Sequence, residues 1–318
     1  MGKIKLASYW AAACGGCDVA ILDTHEKILD ISAAADIVFW PIATDFKYSD
    51  VEAMPEKHID VTLFHGAIRN SENEHLARLL RSKSKVLVAF GSCAHLGGIP
   101  GLANLFNRNS IFKRVYHESP STANAENSEP QTKTVVEEGD LKIPEFYDTV
   151  LPLDQVVSVD YYVPGCPPTP KQIWNVFQAI LNGQLPPKGS VVGASEKTQC
   201  DECQLKKQEK KITGFKRIAT SQPDPEICFL EQGFLCLGPV TRGGCDTRCQ
   251  LSGVPCRGCY GPPPGVLDQG AKAISAIASV IESKDEAEIQ RIIEEIRDPI
   301  RSFNRFGIPA SLIPRKVL

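Results

Sequence analysis

The chain has 318 residues, 42% of them apolar, and a formal charge of −3, so it can bury a substantial core in one or two domains and offers no cationic field for nucleic acid. Apolar runs such as IVFWPIA and VLVAF fall well short of the roughly 20 residues that span a bilayer. The opening MGKIKLASYW passes directly into a predicted strand without the pattern of a secretion signal, which points to a cytoplasmic protein with no integral membrane segment.

Five apolar or β-rich stretches read as strands in chain order: KIKLASYW, ADIVFWPI, IDVTLFHG, KVLVAFGS and VVSVDYYVPG. Helical spacing is predicted for Asp18–Ile31, Asn70–Arg81 and Thr169–Leu181, the last with a Thr cap followed by Pro at its first position. Near-continuous apolar strands alternating with helices predict an α/β fold with a mostly parallel sheet covered on both faces. Residues 117–140 lack a sustained core pattern and read as a solvated insertion. A boundary is predicted near 185–196, after which Gly, Pro and Cys dominate to about Gly265. Helical periodicity returns over Val266–Ile300, in helices suited to covering the cysteine-rich module or a neighbouring subunit.

Twelve cysteines dominate the chemistry. A reducing compartment disfavours disulfides, and a chain of this length needs none to replace a core, so metal or iron-sulfur ligation is the leading expectation. Cys14 follows the first predicted strand, Cys93 the fourth and Cys166 the fifth. Loops at the carboxyl edge of such a sheet converge, which would bring Cys14, Cys17, Cys93 and Cys166 together. The other eight fall into consecutive fours, Cys200, Cys203, Cys228 and Cys236, then Cys245, Cys249, Cys256 and Cys259, although spacing alone does not prove that partition. Thiolate sets also suit zinc, so a structural adaptor with zinc modules is an alternative from a different class. The pair Cys14 and Cys17 could be a thiol-disulfide couple if Cys93 and Cys166 were incidental. His25 and His75 fall in helix-like segments as surface or structural residues, whereas His65 and His95, near strand ends, suit a local hydrogen bond or proton movement.

Taken together, Cys14-Gly-Gly-Cys17, Gly91-Ser-Cys93-Ala94, Gly165-Cys166-Pro-Pro168, Cys236-Leu-Gly-Pro-Val-Thr241 leading to Cys245, and Gly253-Val-Pro-Cys256-Arg-Gly-Cys259 resemble the small subunit of nickel-iron hydrogenases. The resemblance implies a flavodoxin-like domain over 1–190, with a proximal 4Fe-4S cluster on Cys14, Cys17, Cys93 and Cys166. It further implies an iron-sulfur module with terminal helices over 191–318. There the medial cluster would use Cys245, Cys249, Cys256 and Cys259, and the distal one Cys200, Cys203, Cys228 and Cys236. The nickel-iron catalytic centre would belong to a partner large subunit, leaving no catalytic residue in this chain. Cys200 stands where many exported relatives have histidine, and Cys249 completes a set that can lack its fourth cysteine. These departures make the chain similar to the cytoplasmic, methyl-viologen-reducing, non-deazaflavin-reducing hydrogenases of methanogenic archaea. That subgroup implies electron delivery to a small 2Fe-2S protein and a flavin-containing (FAD) heterodisulfide reductase. Deazaflavin-, nicotinamide- or polysulfide-linked hydrogenases are the functional alternatives.

Overall fold

The computed structural model describes residues 2–209 and 211–313. Five parallel strands, β1 (Ile4–Trp10), β2 (Ala35–Phe39), β3 (Ile59–His65), β4 (Ser84–Phe90) and β5 (Tyr161–Val163), form one sheet in the order β2-β1-β3-β4-β5. Leu6 pairs with Val61, Val61 with Val86, and Phe90 with Val163, so the apolar runs lie side by side and the strand ends share one edge. Strand residues alternate between two cores. Leu6, Leu63, Val88 and Val163 face one core, with Ile21, Ile31, Ile173 and Phe177 from α1 (Gly16–Leu22), α2 (Lys27–Ala34) and α5 (Pro170–Leu181). Ala7, Phe64, Leu87 and Ala89 face the other, closed in part by Leu76, Ala77 and Leu80 of α3 (Ser71–Lys83). Burial of each large aliphatic or aromatic side chain there stabilises by about 1.5–3 kcal/mol. The short α4 (Gly91–Leu96) follows β4 without a break.

Three local expectations are corrected. The helix predicted over Asp18–Ile31 is two helices, because Thr24 turns its hydroxyl back to Ile21 O at 2.7 Å and His25 takes a left-handed φ of 55°. His25 therefore sits in an exposed turn rather than in a helix. The fifth strand spans only Tyr161–Val163, since Asp160 is used as an anchor at its start. The insertion is exposed, yet it carries a two-stranded antiparallel hairpin over Lys133–Val136 and Gly139–Lys142. The cap on α5 is as predicted: Thr169 accepts from the Gln172 N–H at 3.2 Å, and Gln172 bonds back to the Thr169 N–H.

Asp160 takes Arg81 and Lys188 at 2.6 Å each and the Leu87 N–H at 2.8 Å. Burial opposes its charge, but the bonds from Arg81, Lys188 and Leu87 outweigh that and hold its carboxyl below the usual carboxylate range. Its stabilising effect is therefore complete above the unfolded carboxylate pKa and disappears as the pH falls through the lower folded value. Asp160→Asn is expected to cost about 1–2 kcal/mol near neutral pH, with the difference from the parent shrinking in acid, as read by chemical denaturation at several pH values.

A third core lies in the cysteine-rich part, built from Ile212, Phe229, Phe234, Leu237 and Val240. Ala273 and Ile277 of α6 (Gln269–Ala278) and Phe303 of α8 (Pro299–Phe303) close it, so these terminal helices cover the module; α7 (Glu286–Glu294) lies between them in sequence. This part docks on the carboxyl edge of the sheet. Tyr260 donates to Gln172 at 2.6 Å, and the Ser92 hydroxyl bonds the Cys259 carbonyl. The chain then returns over the first region, where Gly98 N–H meets Phe306 O and Gln155 meets Pro309 O, both at 3.0 Å. Among the described residues no helix is long and apolar enough to cross a membrane.

Candidate functional site

Cys14 lies in the loop after β1, Cys17 in α1, Cys93 in α4 and Cys166 in the loop between β5 and α5. Cys17 and Cys93 are buried, whereas Cys14 and Cys166 reach the surface. The start of α4 and the loop carrying Cys166 are stapled by the Ser92 N–H on Gly165 O at 2.7 Å. Cys17 lies in the electrostatic field of Cys93, Cys166 and Cys14, Cys93 in that of Cys166 and Cys14, and Cys166 in that of Cys14. Burial first, and then mutual repulsion, pushes the Cys17 thiol well up and Cys93 up to about 12, with Ile99 N–H working against the rise at Cys93.

The remaining cysteines are brought together in two groups. Burial raises Cys200 to about 12, and Cys236, Cys228 and Cys203 add to the rise, while Lys207 opposes it. Cys236 rises to about 11 for the same first reason, despite N–H donors from Gly238 and Cys256. A cavity of about 350 Å³ opens beside this group, lined by Cys200, Cys228, Cys236 and Lys207. A Cβ on Gly238 would stand 3.0 Å from Cys200 Sγ and 3.6 Å from Cys236 Sγ, so the backbone is drawn close under the sulfurs. In the other group, burial raises Cys259, with the thiols of Cys249 and Cys245 among its neighbours, and Cys256 is raised by burial with Cys259 nearby.

Two cysteine pairs cross between groups. Cys259 feels Cys166 and takes its backbone N–H, and Cys256 feels Cys236. The groups therefore form a row, with the 245–259 group between the other two. Polar side chains tie the row together. Cys245 Sγ lies 3.1 Å from Gln199 Oε1, and Glu202 accepts the Gly244 N–H at 2.7 Å. Sequence spacing gave no signal for Gln199 or Glu202, because single polar residues beside a CxxC pair are commonplace.

Residues 14–180 match the family described as NADH ubiquinone oxidoreductase, 20 Kd subunit. Over 320 residues, 99% of each chain, the sequence is 42% identical to the iron-sulfur subunit of the F420-non-reducing hydrogenase of Archaeoglobus profundus. It is 40% identical over 316 residues, 98% of each chain, to a vhu-type F420-non-reducing hydrogenase subunit of Methanocaldococcus jannaschii. The crystal structure of an NAD+-reducing NiFe-hydrogenase in the H2-reduced state contains a chain that matches 58% of this one and 94% of itself, with 29% identity and a TM-score of 0.50. This chain belongs to the nickel-iron hydrogenase small subunits.

As such a subunit, of the F420-non-reducing type, it transfers electrons, and the nickel-iron catalytic centre lies in the large subunit with which it pairs. Iron-sulfur clusters are what the family implies for its thiols. The donor sets suit them: free thiols converge, glycine backbone closes under sulfur, and N–H groups aim at several sulfurs. Among the described residues no three His, Cys, Asp or Glu side chains are gathered as they would be around a single ion.

Three histidines of this small subunit differ in their surroundings. His65 is fully buried at the end of β3, and its Nε2 lies 2.9 Å from Asp18 Oδ1, which also takes the Trp40 indole N–H at 2.7 Å. The local hydrogen bond expected of His65 is thus present, made to the residue that follows Cys17 in sequence. His95 is held neutral, its pKa lowered to about 4 by burial and then by the charge of Arg242, with its ring 4.7 Å from that of Tyr162. His75 is exposed on α3, 3.6 Å from Glu52.

Proposed function

We propose that this small subunit holds three 4Fe-4S clusters. Cys14, Cys17, Cys93 and Cys166 would bind the proximal one, Cys245, Cys249, Cys256 and Cys259 the medial one, and Cys200, Cys203, Cys228 and Cys236 the distal one. It works in the cytoplasm, between the nickel-iron large subunit and a small 2Fe-2S protein that serves a flavin-containing heterodisulfide reductase. The observation that carries the reading is the row of thiol groups joined at Cys166 with Cys259 and at Cys256 with Cys236. Clusters of this kind take up and release single electrons at potentials set by charge, hydrogen bonding and burial.

The chain's own residues supply those settings. Buried, mutually repelling thiols resist ionisation, and only a bound cationic core would reverse that preference, so site assembly and local folding are coupled. Backbone N–H groups of Ile99, Gly238 and Gly258 donate toward Cys93, Cys236 and Cys256. Lys207 places positive charge by Cys200, and Arg257 does so by Cys249. The exposed Cys14 and Cys166 leave one end of the row open for a partner surface.

In the anaerobically purified complex the small subunit's clusters are expected to account for about twelve iron and twelve acid-labile sulfide atoms, with the iron of the nickel-iron centre in addition. Stoichiometric zinc without sulfide would instead establish the structural adaptor. Reduction by dihydrogen should pass first to the heterodisulfide reductase assembly; preferential reduction of deazaflavin or nicotinamide would reassign the acceptor while leaving the iron count intact.

A further inference from the structure

A cavity of about 480 Å³ lies in the cysteine-rich part, and none of the twelve cysteines lines it. Lys216, Arg217, Arg257, Arg297, Arg301 and Arg305 do line it, a concentration of positive charge in a chain whose formal charge is −3. Only two acidic residues share the wall, and both are engaged. Glu295 pairs with Arg291 at 2.7 Å and accepts the Phe215 N–H at 2.6 Å, while Asp298 pairs with Arg301 at 2.8 Å.

The remaining cations are not accounted for in this way. Lys216, Arg217, Arg297 and Arg305 have no ion-pair partner among the described residues. Arg257 has the thiols of Cys236, Cys249 and Cys256 beside it, yet it also faces the like charge of Arg305. A solvated basic patch would keep such side chains apart in water. Here Arg305 is only half-exposed, and its Nε is buried with no hydrogen-bond partner. Arg305 lines the cavity all the same, with no carboxylate among the described residues paired to it.

We propose that this cavity binds a small phosphorylated ligand of about nucleoside-diphosphate size. Guanidinium forks match phosphate oxygens in paired hydrogen bonds, and several converging on one site favour a multiply charged anion over a single carboxylate. The volume falls within the roughly 300–1,000 Å³ of small-molecule sites. Phe215, Ile218 and Leu235 supply an apolar wall for the part of the ligand that is not phosphate. Because Arg257 and Arg305 are set back from solvent, a compact anion reaches them more readily than an acidic face of a protein does.

The test is anaerobic titration calorimetry on the intact hydrogenase complex with ADP, pyrophosphate, adenosine and sulfate. Saturable binding of ADP, competed by pyrophosphate and lost for adenosine, is expected. Arg305→Gln and, separately, the exposed Arg297→Gln should each weaken it roughly tenfold, whereas Lys133→Gln in the distant hairpin should not. Arg297→Gln guards against a folding defect, and iron content measured alongside separates a lost ligand site from a lost cluster. The proposal is overturned by the absence of saturable ADP or pyrophosphate binding. It is equally overturned by binding that sulfate matches at similar concentration, or that both arginine variants leave unchanged. Protection of these arginines solely by an acidic partner protein would also overturn it and make the cavity a protein contact.

Discussion

Replacing Cys17 by Ser is expected to remove about one third of the iron from the small subunit and to lower hydrogen-dependent dye reduction by about two orders of magnitude or more. The thiol is 8% exposed, and the fields of Cys93, Cys166 and Cys14 meet on it. A hydroxyl in the same place is a poor ligand for iron, so one set loses its inner corner while the sets at Cys200–Cys236 and Cys245–Cys259 keep theirs. Cys93→Ser should give the same pattern, because Cys93 is the other buried member. If Cys17 were only a small core residue of α1, the substitution would cost about 1 kcal/mol and leave the iron content unchanged. A couple made by Cys14 and Cys17 alone would make Cys93→Ser silent. Iron analysis with low-temperature spectroscopy of the variants distinguishes these outcomes, and unchanged iron in both would sink the assignment of the proximal set.

Much of this architecture was legible in the sequence, and the parts that were not share a physical cause. Apolar runs such as Lys85–Phe90 announce a buried parallel strand, and the strand ends then place Cys14, Cys93 and Cys166 on one edge. The break between α1 and α2 was hidden because Ile21, Ile28 and Ile31 keep a helical rhythm across it. The break depends on one hydroxyl, Thr24, closing on Ile21 O, which periodicity does not register. The hairpin at 133–142 escaped for the opposite reason. Its side chains, Val135 at 71% exposure included, pack on no core, so it left no alternating buried pattern. Within the site, cysteine spacing reveals the thiols but not what orders them. Ser92 on Cys259 O, Gln199 on Cys245 and Glu202 on Gly244 are long-range partners whose residue types carry no spacing signal.

Gly98→Ala is expected to be far more damaging than the same change at Gly139, although both glycines have positive φ. Gly98 has φ +56°, and a Cβ there would lie 2.5 Å from Cys93 Sγ and 2.7 Å from Cys93 Cα. The second of these is backbone, so no side-chain rotation relieves it, and the Gly98 N–H is held by Phe306 O at 3.0 Å. Left-handed strain of about 1 kcal/mol then adds to an overpacking cost of about 1–3 kcal/mol, for a loss of about 2–4 kcal/mol. The strain falls on α4 at Cys93, so the proximal set should empty first while the other two sets keep their iron. Gly139 has φ +140° and nothing within 4 Å of the added carbon, so its substitution carries the backbone cost alone and should leave all three sets filled. Thermal denaturation of the complex together with iron content per subunit reads both effects. A Gly98→Ala protein with parental stability and full iron would show that the turn after α4 yields freely, and that Cys93 is not fixed by the backbone packed against it.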